Sequence, residues 1–368
     1  MNTEPARLPP VQERLRSLPA YVTGRSAVDR CAERGVTDIV ELAANENPLG
    51  PPPASPRPPR AALGGVHRYP DGANRALRSM LAEQLRVPPE MLLVTNGSED
   101  ALRLLAAVFL SAGDEAVMPA PSFPVYRSST VLAGATPVEA PMTSWQYDPE
   151  ALTARVGRRT RMVYLANPNN PTGTYLSRQD LGHVLDALPA GVLTVVDEAY
   201  REYADATDMP DGLEELRAGR PVAVLRTFSK AYGLAGLRIG YLIADPVVVD
   251  AAARVRGVFA VNHVAEVAAC AALGDVAHLE RTREVTLGQR RWLESAMDVR
   301  GLPHPPSQGN FLWVDVQRDA DQVADGLLDH GVVVRSGALW GAGQHLRVTI
   351  GTAEHNRRFC DALDAVRR

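Results

Sequence analysis

The side chain whose chemistry is hardest to replace in this sequence is a single lysine. Lys and Arg together number 39 among 368 residues, yet the sequence contains a single lysine, Lys230. A guanidinium stays protonated, whereas an ammonium can lose its proton when it is desolvated and then attack a carbonyl carbon. The retention of one amine among so many arginines predicts a nucleophile at this position, although chance survival explains the count alone equally well.

Two segments have the residue types of a phosphate site. Ser229 directly precedes Lys230 and Arg238 follows it by eight residues, and a hydroxyl with a guanidinium suits a phosphate dianion. The run Asn96-Gly97-Ser98-Glu99 lies between a predicted strand and a predicted helix. Backbone N–H groups at such a helix start also suit a phosphate, although most turns of this kind bind nothing.

A carboxylate and a group of amides follow two apolar strands. Asp197 comes directly after the apolar run Leu193–Val196, and a buried carboxylate is costly unless it meets a cation. A protonated pyridine nitrogen is such a cation, and the pairing makes a pyridine cofactor a better electron sink. A salt bridge to an arginine is the more common explanation. The run Asn167 to Gly173 predicts a fixed turn with amides at a strand end.

From about Leu77 the chain alternates helical patterns with short apolar strands, which predicts an α/β fold. Strand–helix alternation implies a mostly parallel sheet covered by helices on both faces, with ligands at the carboxyl ends of the strands. Helices are predicted at Leu77–Leu85 and Glu99–Leu110, and strands at Leu92–Thr95, Ala116–Met118, Met162–Ala166, Leu193–Val196, Val222–Arg226 and Gly240–Ala244.

The predicted domains are an N-terminal arm at 1–44, a large domain at 45–255 and a smaller α+β domain at 256–368. The arm is expected to hold short helices near Val11–Leu18 and Ser26–Arg34. For the small domain we predict long helices, then three strands and a last helix: Ala268–Leu273, Leu279–Met297, Phe311–Val316, Val332–Arg335, Leu346–Ile350 and Glu354–Val366.

Composition excludes several classes of protein. The net charge is −4 and there is no basic stripe, so no nucleic-acid partner is expected. Cys31, Cys270 and Cys360 lie far apart, which argues against a disulfide framework or a metal cluster and fits a reducing compartment. No apolar run approaches the ~20 residues that span a bilayer, and Met1–Pro10 lacks the apolar core of a signal peptide. The expectation is a cytoplasmic protein without a membrane partner.

The order of these motifs resembles the fold-type-I pyridoxal-phosphate aminotransferases, and within them the histidinol-phosphate aminotransferase branch. The resemblance covers nearly the whole chain, and Asn-Pro-Asn-Asn-Pro-Thr-Gly and Ser-Lys…Gly-Leu-Arg are its most specific motifs. Its other segments are Leu18-Pro19-Ala20-Tyr21, Ala44-Asn45-Glu46-Asn47-Pro48-Leu49-Gly50, Arg68-Tyr69-Pro70-Asp71-Gly72, Asn310-Phe311 and Leu346 to Thr352.

The resemblance implies a role for each residue of a pyridoxal-phosphate site. Lys230 forms the imine with the cofactor and then shuttles a proton, and Asp197 pairs with the pyridine nitrogen. Asn170 and Tyr200 bond the ring hydroxyl oxygen, and Phe123 stacks on the ring. The phosphate is surrounded by Gly97, Ser98, Glu99, Ser229 and Arg238.

The resemblance also implies substrate ligands and a homodimer with shared active sites. Tyr69 is expected to reach the phosphate of the neighbouring subunit's cofactor. Arg347 is expected to bind the substrate α-carboxylate or the equivalent end of an amino alcohol, and Asn47 is placed on the substrate side. Tyr21 and Arg335 are expected to bind a distal phosphate. Simple arm packing remains the alternative for Tyr21, and an ordinary surface ion pair the alternative for Arg335.

The implied reaction is histidinol phosphate and 2-oxoglutarate to imidazole acetol phosphate and glutamate. The chain departs from the family pattern at Glu99, in the phosphate loop, at Ala260, a possible substrate or interface contact, and at Gly309 and Trp340, near the substrate. These departures leave the cofactor chemistry intact and concern the identity of the substrate. The alternatives are an aminotransferase for another amino acid, aromatic or in a specialised pathway, and a decarboxylase of a phospho-amino acid. All three use a small-molecule amine, and the two aminotransferases also need a 2-oxo acid acceptor.

Overall fold

The computed structural model describes residues 12–18, 25–53 and 57–368, without the side chains of 25–27 and 57–59. The strands in this part of the chain are β1 Val40–Glu41, β2 Leu92–Thr95, β3 Glu115–Ala120, β4 Thr136–Pro141, β5 Thr160–Ala166, β6 Leu193–Asp197, β7 Val222–Thr227, β8 Gly240–Ile243, β9 Phe311–Asp315, β10 Val332–Val333, β11 Arg335–Ser336 and β12 His345–Thr349. The helices are α1 Arg25–Glu33, α2 Arg57–Ala62, α3 Arg75–Leu85, α4 Ser98–Phe109, α5 Pro124–Leu132, α6 Pro149–Thr153, α7 Arg178–Ala187, α8 Gly212–Arg217, α9 Pro246–Val255, α10 His263–Gly274, α11 Val276–Val299, α12 Ala320–Leu328 and α13 Ala353–Arg367.

A seven-stranded sheet forms the centre of the large domain, in the order β2-β8-β7-β6-β5-β3-β4. Strands β4, β3, β5, β6 and β7 are parallel, and β8 runs antiparallel to both of its neighbours. Every residue of β6 and β7 is buried. Continuous burial is typical of parallel strands that are covered on both faces. The predicted α/β class with a mostly parallel sheet is confirmed.

Two separate apolar cores cover the faces of this sheet. One contains Leu77 and Leu81 of α3 with Leu181 and Val184 of α7. The other contains Leu105 of α4 and residues of α5 and α9. The helices of each core present apolar residues three and four positions apart, which places those residues on one helix face. The central strands and their carboxyl ends are thereby held between two layers of helices.

The edge strand β4 was not expected from the sequence. It carries Pro137 and Pro141, which remove ladder donors, and so its pattern does not read as a strand. Proline is tolerated here because β4 is the last strand of the sheet and pairs only with β3. The predicted strand Val332–Arg335 is two short strands, β10 and β11, which join different sheets.

The small domain contains the antiparallel sheet β11-β12-β9 and helices α11 to α13. Strand β1 pairs with β10, and Cys31 and Ala43 share an apolar cluster with Leu328 and Val333, so the second half of the predicted arm packs on this domain. Helix α10 packs into a core of the large domain. The limits 44/45 and 255/256 stay predictions, although packing links segments across both of them.

Among the described residues, none of the helices combines the length and the apolar character needed to traverse a bilayer.

Candidate active site

A cavity of about 170 Å³ opens at the carboxyl edge of the central sheet. The last residues of three neighbouring strands lie in its wall: Ala166 of β5, Asp197 of β6 and Thr227 of β7. This is the edge at which open α/β sheets bind ligands. The other lining residues are Ala44, Ser98, Glu99, Phe123, Tyr126, Pro168, Asn170, Ala199, Tyr200, Ser229, Lys230, Arg238 and Arg347.

Lys230 lies on the loop after β7, with its side chain in this cavity. Its Nζ donates to Ala44 O at 2.9 Å and lies 5.6 Å from the centroid of the Tyr200 ring. Burial, with help from the positive charges of Arg347 and Arg238, lowers the pKa of Lys230 from 10.5 to about 7. Near neutral pH a large share of this amine is therefore unprotonated and can act as a nucleophile or base.

The loop that carries Lys230 is held close to the Asn45–Gly50 motif. Gly233 has φ +67, and a Cβ at this position would lie 2.3 Å from Gly50 O, so only glycine fits the approach of the two backbones. Asn47 Nδ2 donates to Ala231 O at 3.0 Å and to Thr282 Oγ1 at 3.2 Å. The Asn45–Gly50 motif thus holds the loop that carries Lys230 in place. Asn47 does not line the cavity, and its role as a substrate ligand stays a prediction.

Asp197 presents its carboxylate to the floor of the cavity. It is buried, and it accepts hydrogen bonds from Tyr126 OH at 3.0 Å and from Ala199 N at 3.2 Å. Burial is the main cause that raises the pKa of Asp197 from 3.8 to about 6, while the two donors oppose the shift. Both donors are neutral, so they orient the carboxylate without cancelling its charge. A cationic ring nitrogen would complement it.

Tyr126 is a member of this site that sequence reasoning missed. It lies on α5, fully buried, with its ring stacked on Tyr164 at a centroid distance of 4.9 Å. It is separated from Asp197 by 71 residues, and an isolated tyrosine after a Pro-Ser-Phe-Pro run gives no signal of such a contact. Its position three residues after Phe123 is the one available hint, because residues at this spacing share a helix side.

Arg238 lines the cavity together with Ser98 and Glu99, and Gly97, which is not itself a lining residue, lies directly against Arg238. Gly97 has φ +82, and a Cβ on it would lie 2.7 Å from Arg238 Nη2, so glycine lets the guanidinium approach the start of α4. Arg238 Nη1 donates to Ser229 Oγ at 3.4 Å. The Glu99 carboxylate pairs with Arg103 at 2.6 Å. Helix N–H groups, a hydroxyl and a guanidinium together fit a phosphate.

The cavity wall also contains the residues expected at the cofactor ring and the substrate. Phe123, Asn170 and Tyr200 all line the cavity, and Tyr200 OH accepts from Asn45 Nδ2 at 3.1 Å. Arg347, on β12, donates to Asn170 Oδ1 at 2.6 Å and also to Ala43 O. These predicted residues therefore share one cavity.

Like Asn47, the predicted residues Arg335 and Tyr69 do not line the cavity. Arg335 is directly opposite Arg347 on the adjacent antiparallel strand, so both side chains leave the same face of the small sheet, but it does not line the cavity. Tyr69 is 83% exposed, with its ring stacked on Phe259 at 4.6 Å, and it is not among the residues that line the cavity. Tyr21 lies outside the described residues. The roles of all three stay predictions.

Comparison with known proteins identifies the family. The model of the aminotransferase class I and II family matches residues 37–363. The chain belongs to the class I and II aminotransferases. This aminotransferase depends on pyridoxal phosphate, the cofactor of the family, and the cavity fits that group. The lysine amine, the buried carboxylate of Asp197 and the glycine-lined approach to Arg238 match its aldehyde, its ring nitrogen and its phosphate.

Similar proteins have been described over the full length of the aminotransferase. The histidinol-phosphate aminotransferase of Moorella thermoacetica is 42% identical, over 97% of this chain and 93% of the relative. The crystal structure of histidinol-phosphate aminotransferase from Sinorhizobium meliloti with pyridoxal-5'-phosphate has a TM-score of 0.90, with 30% identity and 98% of each chain covered. The aspartate aminotransferase of Thermus thermophilus with maleate has a TM-score of 0.86, with 25% identity, covering 98% of this chain and 100% of that one.

Proposed function

We propose that this aminotransferase transfers the amino group of histidinol phosphate to 2-oxoglutarate, forming imidazole acetol phosphate and glutamate. The observation that carries the substrate assignment is the 42% identity to a histidinol-phosphate aminotransferase over 97% of the chain. The pair Arg335 and Arg347 supports it, because the two arginines are cross-strand partners on one face of the small sheet and guanidinium groups bind phosphate and carboxylate.

When bound, pyridoxal phosphate supplies an aldehyde for amine exchange and a ring that accepts electrons from the substrate α-carbon. Lys230 Nζ would hold the cofactor through its aldehyde, at the position where the substrate amine is exchanged. As a neutral amine it would accept the proton from the substrate α-carbon and deliver it to the cofactor carbon that carried the aldehyde. Its lowered pKa, about 7, leaves it unprotonated often enough for this task.

The surrounding residues orient the cofactor and the substrate. Asp197 would hold the proton on the ring nitrogen, and Asn170 with Tyr200 would bond the ring oxygen. Phe123 covers the ring face, and Gly97, Ser98, Glu99, Ser229 and Arg238 bind the cofactor phosphate. Arg347 binds the α-carboxylate of glutamate or the equivalent end of the amino alcohol, with Asn47 on the same side, and Arg335 with Tyr21 binds the distal phosphate.

The enzyme works in the cytoplasm as a homodimer with shared sites. Tyr69 supports the shared sites, because its side chain is 83% exposed and does not line the cavity of its own chain, so a partner subunit could reach it. Mixing Tyr69→Ala and Lys230→Ala subunits tests this: one site of the heterodimer carries both defects and the other neither, so activity returns. Failure of activity to return after verified subunit exchange would assign Tyr69 to its own chain.

The substrate assignment is tested with a panel of amino donors followed by stopped-flow absorbance of the cofactor. Histidinol phosphate and glutamate should each convert the bound cofactor to its amine form, and unphosphorylated histidinol should react poorly. Arg335→Ala should weaken use of histidinol phosphate about tenfold or more, because a charge-assisted bond contributes about 1.5–3 kcal/mol. Glutamate should be affected much less. Equal losses for both donors would favour an aminotransferase for another amino acid, and release of carbon dioxide without a 2-oxo acid would indicate a decarboxylase.

A further inference from the structure

Trp340 connects the small domain to the cofactor cavity. It ends the short 3-10 helix Gly337–Trp340 that follows β11, and its Nε1 donates to Ser122 O at 2.9 Å. Ser122 belongs to the large domain and directly precedes Phe123, which lines the cavity. One hydrogen bond therefore fixes the indole relative to the residue expected to cover the cofactor ring.

The same indole lies against the guanidinium of Arg347. The Arg347 Cζ is 5.3 Å from the centroid of Trp340 and 5.7 Å from that of Phe311, so the guanidinium has aromatic rings as neighbours. An aromatic face attracts a cation but carries no net charge. A carboxylate in the same place would neutralise Arg347 and compete with an anionic substrate. The indole carries no such charge, so its contact stabilises the cation without neutralising it.

Packing behind Trp340 limits the orientations of its ring. Trp340 meets Trp313 edge to face, with centroids 5.7 Å apart and an interplanar angle of 90°. Trp313 is fully buried and stacks on His345 at 5.1 Å. Trp313 is also the register partner of Arg347 on β9, so the two side chains leave the same face of the sheet. The indole is thus fixed by a hydrogen bond on one side and by a buried aromatic on the other.

We propose that Trp340 is a positioning residue, which holds the Arg347 guanidinium in the orientation that binds the anionic end of the substrate. The inference rests on the proposed function, because that function takes Arg347 as the anion ligand. It gives Trp340, which hydrogen-bonds to Ser122 of the large domain, a part in substrate recognition. It also couples the orientation of Arg347 to the position of the small domain relative to Phe123.

The test measures the affinity of the cofactor-loaded enzyme for maleate, a dicarboxylate probe, by equilibrium titration. The kcat and KM for glutamate are measured beside it. Trp340→Ala should weaken maleate binding about 5- to 30-fold, from the usual strength of a partly buried cation–π contact. It should raise KM for glutamate more than it lowers kcat. Trp340→Phe keeps a ring face but loses the N–H, so its affinity should lie between those of wild type and Trp340→Ala. Trp292→Phe, at a tryptophan on α11 that is 41% exposed, is the matched control and should change nothing.

Arg347→Ala separates this inference from the proposed function. If it impairs maleate binding while Trp340→Ala stays within about twofold of wild type, Trp340 has no positioning role. If Arg347→Ala itself binds maleate normally, the assignment of Arg347 fails and the inference fails with it. Equal losses of cofactor affinity and maleate affinity in Trp340→Ala, without partial recovery in Trp340→Phe, would mean that Trp340 only supports the fold.

Discussion

Asp197 and Glu198 are consecutive carboxylates at the end of one strand, and their surroundings are opposite. Glu198 accepts from Arg226 Nε at 2.8 Å, from Arg201 Nη1 at 3.1 Å and from Gly212 N at 2.7 Å. Asp197 accepts from two neutral donors, Tyr126 and Ala199. Both carboxylates are buried. A buried carboxylate with cationic partners, such as Glu198, stabilises the folded structure. A buried carboxylate with neutral partners, such as Asp197, keeps a negative charge that can bind a cationic ligand.

The same contrast separates the basic residues of these two regions. Arg226 is buried between Glu198 and Asp211, with N–O distances of 2.8 Å to each. Lys230 donates instead to a backbone carbonyl and has a lowered pKa of about 7. In the ion network around Glu198, arginines and carboxylates therefore pair with one another. In the cavity, Asp197 and Lys230 have neutral hydrogen-bond partners instead. Mutations in the two regions should consequently affect different properties.

The largest loss of activity is expected for Lys230. Lys230→Ala should lose turnover by several orders of magnitude while still binding pyridoxal phosphate weakly, because the nucleophile and proton carrier is gone. Lys230→Arg should not restore turnover, because a guanidinium stays protonated. Steady-state kinetics of both variants tests this, and substantial turnover by the arginine variant would refute the role of the amine.

A matched pair of amide substitutions tests the contrast of the two carboxylates. Asp197→Asn should keep the cofactor but slow α-proton removal by roughly 10²-fold, since the ring nitrogen loses the anion that holds its proton. Glu198→Gln should leave that step nearly intact but destabilise the fold by about 3–5 kcal/mol, because it removes one partner of a buried ion pair. Single-turnover rates and urea unfolding measure both; identical effects of the two substitutions would remove the distinction.

Tyr126→Phe should give a smaller change, confined to the proton affinity of Asp197. Loss of the hydroxyl removes a donor to the carboxylate, so the pKa of Asp197 should rise by about one unit or more. The acid limb of the single-turnover rate profile should move to higher pH, because a protonated Asp197 cannot hold the ring cation. Tyr164→Phe, which removes a hydroxyl from the neighbouring stacked ring, is the control; equal displacement of the limb in both variants would rule out a specific bond.

The last effect concerns the stability of the cofactor-free enzyme and not its activity. The native pKa of Lys230 is lowered to about 7 from 10.5, so between these values the unfolded state binds more protons. Stability should therefore rise with pH across this window, by at most about 1.4 kcal/mol per pH unit from this group. Lys230→Met should flatten the dependence. Urea unfolding from pH 7 to 10.5 checks it, and parallel curves for the two proteins would indicate an unperturbed amine.

The residues that carry chemistry were predictable because they lie at or just after the carboxyl ends of strands, where α/β sheets bind ligands. Asp197 ends β6 and Lys230 follows β7, so the strand–helix pattern alone indicates that both belong to one edge of the sheet. Their supporting contacts were not predictable. Tyr126 reaches Asp197 across 71 residues and Trp340 reaches Ser122 across 218, and no local pattern encodes such distant packing.

The most direct test of the account is covalent labelling of the amine. Borohydride reduction of the cofactor-loaded enzyme, followed by peptide mapping, should place the cofactor on the peptide that contains Lys230. Because the chain has no other lysine, the result has one internal competitor, the N-terminal amine. A label on Lys230 is the predicted result, and a label found only at the N-terminus would contradict the central role of this residue.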